Sequence, residues 1–257
     1  MSVHPAPRRT EPWFPVPPPF AAIEDVVAGL AALEATLANV RDLRGLFVMT
    51  YSASTSTIQR WIDQGTFLDN QMMARLVVTF GNAYRSALAE YAVGERSRVP
   101  VAWQQSFDAC IARSGTALQC LMLSVNAHVN RDLPYAIVDA GVDVNCTHGY
   151  SDYARIDGVT PLSVALARRH IARVYWRDIP ISQRLFGGSM EALVVQSVER
   201  ARRHAWTLAQ RLVRAETDAA RALVDRMIES RAALVGEAIL AHKGPATCIA
   251  ALATNQP

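Results

Sequence analysis

The sequence contains very little lysine and little cysteine. Of its 26 basic residues only Lys243 is a lysine, and the four cysteines form no CxxC pair. Thiols without that spacing predict small apolar core residues, and they argue against a zinc knuckle or a disulfide framework. Because the arginines alternate with acidic residues and do not cluster, we expect no nucleic-acid partner.

Long uncharged apolar runs are also missing. No window of eighteen residues is free of charged side chains, so we expect no membrane-spanning helix and no membrane partner. The amino terminus has no apolar h-region, so we expect no signal peptide and a cytoplasmic protein. No alternation of apolar and polar residues at period two is long enough to predict a strand.

Apolar side chains are abundant, at 51% of all residues, which is enough for a large core. Over residues 21–243 they recur at helical spacing, which predicts a single all-α domain, a bundle of about eight helices. Seven prolines in residues 1–20 predict an extended N-terminal arm, either mobile or held on the surface by its aromatic side chains. Residues 244–257 are predicted to be a C-terminal tail.

Three stretches of this domain have an unusual composition. The predicted helix over 43–63 carries small hydroxyl side chains at 50–57, TYSASTST, which are poor helix formers. They indicate either very close helix packing, which we favour, or the wall of a pocket. Asp69 precedes the predicted helix over 70–91 and is a good N-cap. The polar segment 142–158 is predicted to be irregular.

The stretch 118–138, LQCLMLSVNAHVNRDLPYAIV, predicts a central helix. Its first half is apolar on all sides, which is typical of a helix in the middle of a protein. His128 and Asp132 are four residues apart and therefore lie on one face of that helix. Pro134 cannot donate a hydrogen bond to the carbonyl of Asn130, which predicts a kink. Because buried polar groups are costly unless they are partnered, this concentration of them predicts a functional site.

The pattern NAHxxxDLP at 126–134 resembles the signature of a bacterial family of helical domains of unknown function. Other agreements follow in the same order: Phe47 with Tyr51, Phe67–Asp69, Phe80 with Tyr84, Trp103 with Phe107, Gln119, and the closing ARRHAW and VGEAIL. The resemblance covers about residues 22–240. It implies an all-helical domain and no settled activity. Members often carry IGH between the histidine and the aspartate, where this chain has Val129, Asn130 and Arg131.

Three interpretations of the central motif stay open. In the first, which we favour, Asp132 orients His128 for proton transfer, and Tyr51 and Asp69 assist as catalytic groups. In the second, His128, Asp132 and Asp69 bind a divalent metal that activates water, and this ligand set suits iron or manganese better than zinc. In the third, the buried pair is structural and satisfies backbone groups that Pro134 frees.

The favoured hypothesis is an enzyme that performs acid/base chemistry on a small-molecule substrate in a pocket between helices. The reaction would be a cyclisation, isomerisation, elimination or hydrolysis, with specialised biosynthesis as its pathway. No nucleotide loop, haem signature or nucleophile elbow occurs, so we predict no cofactor, and a divalent metal is left open. The predicted substrate-binding residues are Asn126, Asn130, Arg131, Tyr84 and Trp103.

Two alternatives belong to other functional classes. One is a metal-dependent hydrolase that uses His128, Asp132 and Asp69. The other is a non-catalytic helical binding or scaffold protein that engages a partner through the proline-rich arm and the helix faces. A homodimer is left open in either case.

Overall fold

Helices make up most of the computed structural model, which describes residues 15–175, 188–242 and 244–253. These ranges contain no β-strand, and the predicted all-α single domain is confirmed. The α-helices are α1 (Ile23–Asn39), α2 (Gly45–Asp63), α3 (Asn70–Ala92), α4 (Val101–Ala112), α5 (Ala117–Asn126), α6 (Leu133–Asp139), α7 (Thr147–Arg155), α8 (Val159–Val174), α9 (Gly188–Arg214), α10 (Asp218–Ala241) and α11 (Pro245–Ala251). None of these helices combines the length and the apolarity that crossing a lipid bilayer requires.

The ends of several helices follow local capping signals. Asp69 caps α3 as predicted, because its Oδ1 accepts the backbone N–H of Met72 at 2.8 Å, an interaction typically worth about 1 kcal/mol. Thr116 and Gln119 form a reciprocal capping box at the start of α5. Gly65 follows α2 with φ at 67°, the left-handed conformation that glycine adopts without steric cost.

The segment 142–158, predicted to be irregular, contains helix α7 and a short 3-10 turn, Ile156–Gly158. Buried side chains of α7 tie it to distant parts of the chain. The carboxylate of Asp152 accepts the backbone N–H groups of Leu68 and Asp69, both at 2.8 Å. The hydroxyl of Tyr153 donates to the carbonyl of Arg202 at 2.6 Å. These contacts are tertiary, which explains why local composition did not predict the helix.

The segment 244–257, predicted to be a tail, instead forms helix α11 within its described part. Four apolar side chains of this segment are buried, those of Cys248, Ile249, Ala251 and Leu252. They pack against α5, α9 and α10, so that at least residues 245–252 belong to the core of the domain.

The last residues of the predicted N-terminal arm lie against the domain. The side chain of Asn82 bonds both the N–H and the carbonyl of Phe20 at 2.9 Å, and the ring of Phe20 is buried. Arg85 donates to the carbonyl of Pro17 at 2.8 Å. The first fourteen residues of the arm lie outside the described residues, so the choice between a mobile and a held arm stays a prediction there.

The predicted central helix consists of α5, a π-helical segment over Ala127–Asp132, and α6. At the end of the π segment the N–H of Leu133 donates to the carbonyl of His128, five residues back. Pro134 stands in the first turn of α6, where a missing N–H is tolerated. Pro134 predicted a kink in this helix. The structure instead has a widened π-helical turn immediately before Pro134. The π segment contacts α3, α4, α9 and α10, at the centre of the fold.

Candidate functional site

His128 and Asp132 interact within the π segment, a type of widened turn that is frequent at functional sites. The imidazole Nδ1 lies 3.4 Å from Asp132 Oδ2, which is long for a hydrogen bond. The same oxygen accepts the indole N–H of Trp103 at 2.8 Å, and Oδ1 accepts Arg131 Nη1 at 3.1 Å. Because a carboxylate faces Nδ1, a neutral imidazole carries its proton there. Its Nε2 is then an acceptor.

Aromatic rings surround this imidazole. Phe80 lies parallel to it with the ring centroids 3.4 Å apart, and Tyr51 and Phe47 meet it edge-on at 4.5 and 5.3 Å. Burial among these rings lowers the pKa of His128, and the interaction with Asp132 opposes that change only in part. The imidazole is therefore neutral near pH 7 and able to accept a proton.

A cavity of about 390 Å³ lies beside His128. Its wall is formed by side chains of α2, α3, α5, the π segment, α8 and α9, with a small contribution from α11. Most of them are apolar, including Ile58, Leu76, Phe80, Leu121, Val125 and Val194. A predominantly apolar cavity of this size is typical of small-molecule sites.

Four polar atoms of the wall have no hydrogen-bond partner among the described residues, and all four are buried. They are Nε2 of His128, the hydroxyl oxygens of Tyr51 and Thr55, and Oε1 of Glu191, which forms an ion pair with Arg168. A buried polar group without a partner typically costs about 1–3 kcal/mol, and such groups are rare. This concentration at one place therefore indicates a site for a polar group of a ligand.

Burial raises the pKa of Tyr51, and the nearby charge of Asp132 adds to the shift. The hydroxyl consequently stays protonated and can donate a hydrogen bond. Thr55 lies one turn further along α2, and its hydroxyl opposes the rise in the pKa of Tyr51. Neither hydroxyl, however, has a hydrogen-bond partner. The donor capacity of both is thus available to a ligand.

Other hydroxyls of the wall already donate within their own helices. Thr50 donates to the carbonyl of Leu46 at 3.0 Å, and Ser54 donates to the carbonyl of Thr50 at 3.1 Å. Together with Tyr51 and Thr55, they place four of the eight residues of the stretch 50–57 on the cavity wall. These four residues thus line the cavity, while the extensive contacts of α2 with α1 and α8 do not contradict the close packing that we favoured.

Asp69, predicted to be catalytic or a metal ligand, does not line the cavity. Its carboxylate is held at the start of α3 by its capping role. The structure therefore does not bring Asp69 together with His128 and Asp132 as a ligand set. Throughout the described ranges, no three His, Cys, Asp or Glu side chains are grouped so that they could hold a metal ion.

The two asparagines predicted to bind substrate also lie away from the cavity wall. Asn126 Nδ2 donates to the carbonyl of Ala232 in α10 at 2.7 Å. Asn130 Nδ2 donates to Asn126 Oδ1 at 2.9 Å and to the carbonyl of Leu252 at 3.2 Å. These bonds join the π segment to the C-terminal helices, which is a structural role.

The other three residues predicted to bind substrate form a layer behind His128 and do not line the cavity. Arg131 bonds Glu229 at 2.8 Å as well as Asp132, and Trp103 also bonds Asp132. The ring of Tyr84 packs against those of Trp103 and His128, with centroid distances of 5.2 and 6.3 Å. The structure thus assigns Arg131 and Trp103 to holding Asp132, and Tyr84 to enclosing the imidazole.

Sequence reasoning missed two parts of the site. Phe80 and Thr55 were not predicted as site residues, although Phe80 occurs in the family resemblance and Thr55 in the hydroxyl-rich stretch. The wall formed by α8 and α9 gave no signal at all. Those helices begin more than thirty residues after His128, and only folding brings them to it.

Comparison with known proteins addresses the family and not the activity. The model of a family of unknown function, DUF5995, matches residues 23–242. The chain belongs to this family. The DUF5995 match confirms the predicted membership of an all-helical family without a known function. No curated protein and no solved structure is significantly similar to this DUF5995 chain.

Proposed function

We propose that this DUF5995 protein is an enzyme that removes a proton from a small apolar molecule bound in the cavity. The supporting observation is the unpartnered, buried Nε2 of His128 in the wall of a cavity of small-molecule size. A neutral imidazole with a carboxylate at Nδ1 is a common arrangement for a general base.

Each residue of the site has a separate role in this proposal. His128 accepts the proton at Nε2, and Asp132 fixes the ring and offsets the positive charge that develops on it. Trp103 and Arg131 position Asp132. Tyr51 donates a hydrogen bond to negative charge that forms on the substrate, as oxyanion-binding donors do.

This proposal leaves the overall reaction as a cyclisation, isomerisation, elimination or hydrolysis. A base can begin each of these reactions by removing a proton from the substrate or, in a hydrolysis, from a water molecule that attacks it. The biosynthetic pathway, the cytoplasmic location and a homodimer stay predictions from the sequence.

A purely structural His–Asp pair would direct its hydrogen bonds at neighbouring main chain. The amide nitrogens of Asn126 and Asn130 do so. Nε2 of His128 and Oδ1 of Asn130 have no partner, and of the two residues only His128 lines the cavity. A metal-dependent hydrolase would need a third ligand, and Asp69 does not supply it because it caps α3. A scaffold protein would not need an apolar cavity beside a buried base. These differences favour the enzyme.

The ring opening of a nitrobenzisoxazole tests the proposal without knowledge of the natural substrate. A base removes the C–H proton of this small apolar compound, the N–O bond breaks, and a coloured cyanophenolate forms. We expect the protein to accelerate this reaction. Replacing His128 with Gln should lower the rate by a factor on the order of 10², the lower end of what a general base contributes.

His242→Gln is the matched control, because the side chain of His242 is exposed. It should keep the wild-type rate. Circular dichroism establishes that both variants are folded. A folded His128→Gln variant that opens the ring as fast as the wild type would contradict the proposal.

A further inference from the structure

We infer that the natural ligand is an uncharged carbonyl compound with an extended apolar body, whose carbonyl oxygen accepts hydrogen bonds from Tyr51 and Thr55. This inference rests on the proposed function, since it names the substrate class of the same site. It is carried by the donors, the charges and the size of the cavity.

The buried hydrogen-bond donors of the wall that have no partner lie close together on one helix. The Tyr51 and Thr55 hydroxyls are buried without partners and are one helical turn apart on α2. In contrast, the hydroxyls of Thr50, Ser54 and Ser163 already donate to carbonyls of their own helices. A ligand with a single acceptor oxygen beside Tyr51 and Thr55 would therefore satisfy the donors that the protein leaves unsatisfied.

The charges of the wall disfavour an anionic ligand. Arg168 forms an ion pair with Glu191 at 2.8 Å, and Arg202 forms one with Asp157 at 2.9 Å. Within the described residues, these are the arginines that line the cavity, and neither is left without an acidic partner. A carboxylate would enter apolar surroundings without a counter-charge, which costs several kcal/mol. A neutral ketone does not have this cost.

The volume sets a lower limit on the room for a ligand. At roughly 30 Å³ per non-hydrogen atom, the share of a water molecule in the liquid, the cavity of about 390 Å³ has room for at least about thirteen such atoms. Dodecan-2-one has this size and carries one carbonyl group near one end. It is therefore a suitable probe, and dodecanoate is its charged counterpart of nearly the same length.

The position of the carbonyl also suits the base. The Tyr51 ring lies 4.5 Å from the imidazole of His128, so the carbons next to a carbonyl held by Tyr51 come close to Nε2. When a C–H bond beside the carbonyl breaks, the proton passes to Nε2. The electron pair forms a C=C bond, and the carbonyl π pair moves onto the oxygen that Tyr51 holds. Return of the proton to another atom completes an isomerisation.

Displacement of Nile red, a neutral apolar dye, measures binding of both probes to the full chain. We expect dodecan-2-one to bind at least about tenfold more tightly than dodecanoate, a difference of about 1.4 kcal/mol. The variants Tyr51→Phe and Thr55→Val, made singly and together, should each weaken ketone binding. Thr57→Val is the matched control and should bind the ketone as the wild type does, because the Thr57 hydroxyl already donates to the carbonyl of Ala53 and Thr57 does not line the cavity.

Equal or tighter binding of dodecanoate would overturn the inference, as would a ketone that does not displace the dye. Unchanged ketone affinity in the folded double variant would overturn the placement of the carbonyl. Failure of the proposed function is a separate result. If the protein binds the ketone through Tyr51 but leaves the nitrobenzisoxazole intact, the inferred ligand class is correct and the proposed role of His128 as a base is wrong.

Discussion

The ring of Phe80 lies flat against the imidazole of His128, with the centroids 3.4 Å apart and the planes 9° from parallel. Phe80 belongs to α3 and His128 to the π segment, so the packing of these two elements covers one face of the proposed base. This cover excludes water from the imidazole. Desolvation of this kind is the largest cause of the lowered pKa of His128.

Replacing Phe80 with Ala should raise the pKa of His128 towards the ordinary value of about 6.5, because water then reaches the imidazole. An NMR titration of the histidine signals measures this change. Leu121→Ala is the control, since Leu121 also lines the cavity and is half-buried but has no ring to stack on the imidazole. Equal pKa values in the wild type and in Phe80→Ala would show that Phe80 does not control the protonation of His128.

The lowered pKa of His128 also makes the stability of the fold depend on pH. Above about pH 6.5 the histidine is neutral in the folded and the unfolded chain. As the pH falls below that value, the unfolded chain binds a proton that the folded chain does not, so stability is lost down to the folded pKa. The loss approaches about 1.4 kcal/mol per pH unit for one such group.

Urea unfolding of the wild type and His128→Gln across this pH range measures the contribution. Acidification should destabilise the variant less than the wild type. His204 also makes the fold less stable on acidification, because burial and then the charges of Arg231 and Arg211 lower its pKa to about 4. His204→Gln should therefore remove a separate share of the pH dependence. Parallel stability curves for the wild type and His128→Gln would contradict the assignment to His128.

Asn126→Leu tests the structural role that we now give to this asparagine. The carbonyl of Ala232 and the amide of Asn130 would each lose a buried partner, so the free energy of unfolding should fall by about 1–3 kcal/mol. Dodecan-2-one affinity and the ring-opening rate should stay unchanged, because Asn126 does not line the cavity.

Asn145→Leu is the control for that experiment. Asn145 is exposed, and changes at such positions usually alter stability by less than about 0.5 kcal/mol. If Asn126→Leu remains folded but loses ketone affinity, Asn126 takes part in substrate binding, and its role is not structural alone.

The sequence alone determined most of the helical architecture. Apolar spacing and capping residues are local signals, so the helices with strong patterns, such as α2 and α3, were predicted almost to their ends. The central helix was predicted by its unbroken apolar first half. His128 and Asp132 were placed on one face by their spacing alone, and the structure brings them together within the π segment.

Only the tertiary structure decided what surrounds that pair. Helices α7 and α11 depend on contacts with remote residues, such as the bonds from Leu68 and Asp69 to Asp152. The cavity is the space between helices far apart in the sequence, and its shape depends on how their side chains pack. The same packing placed Phe80 on His128 and left the capping residue Asp69 outside the cavity wall. A local pattern specifies which side chains share a face, but not which distant side chains they will meet.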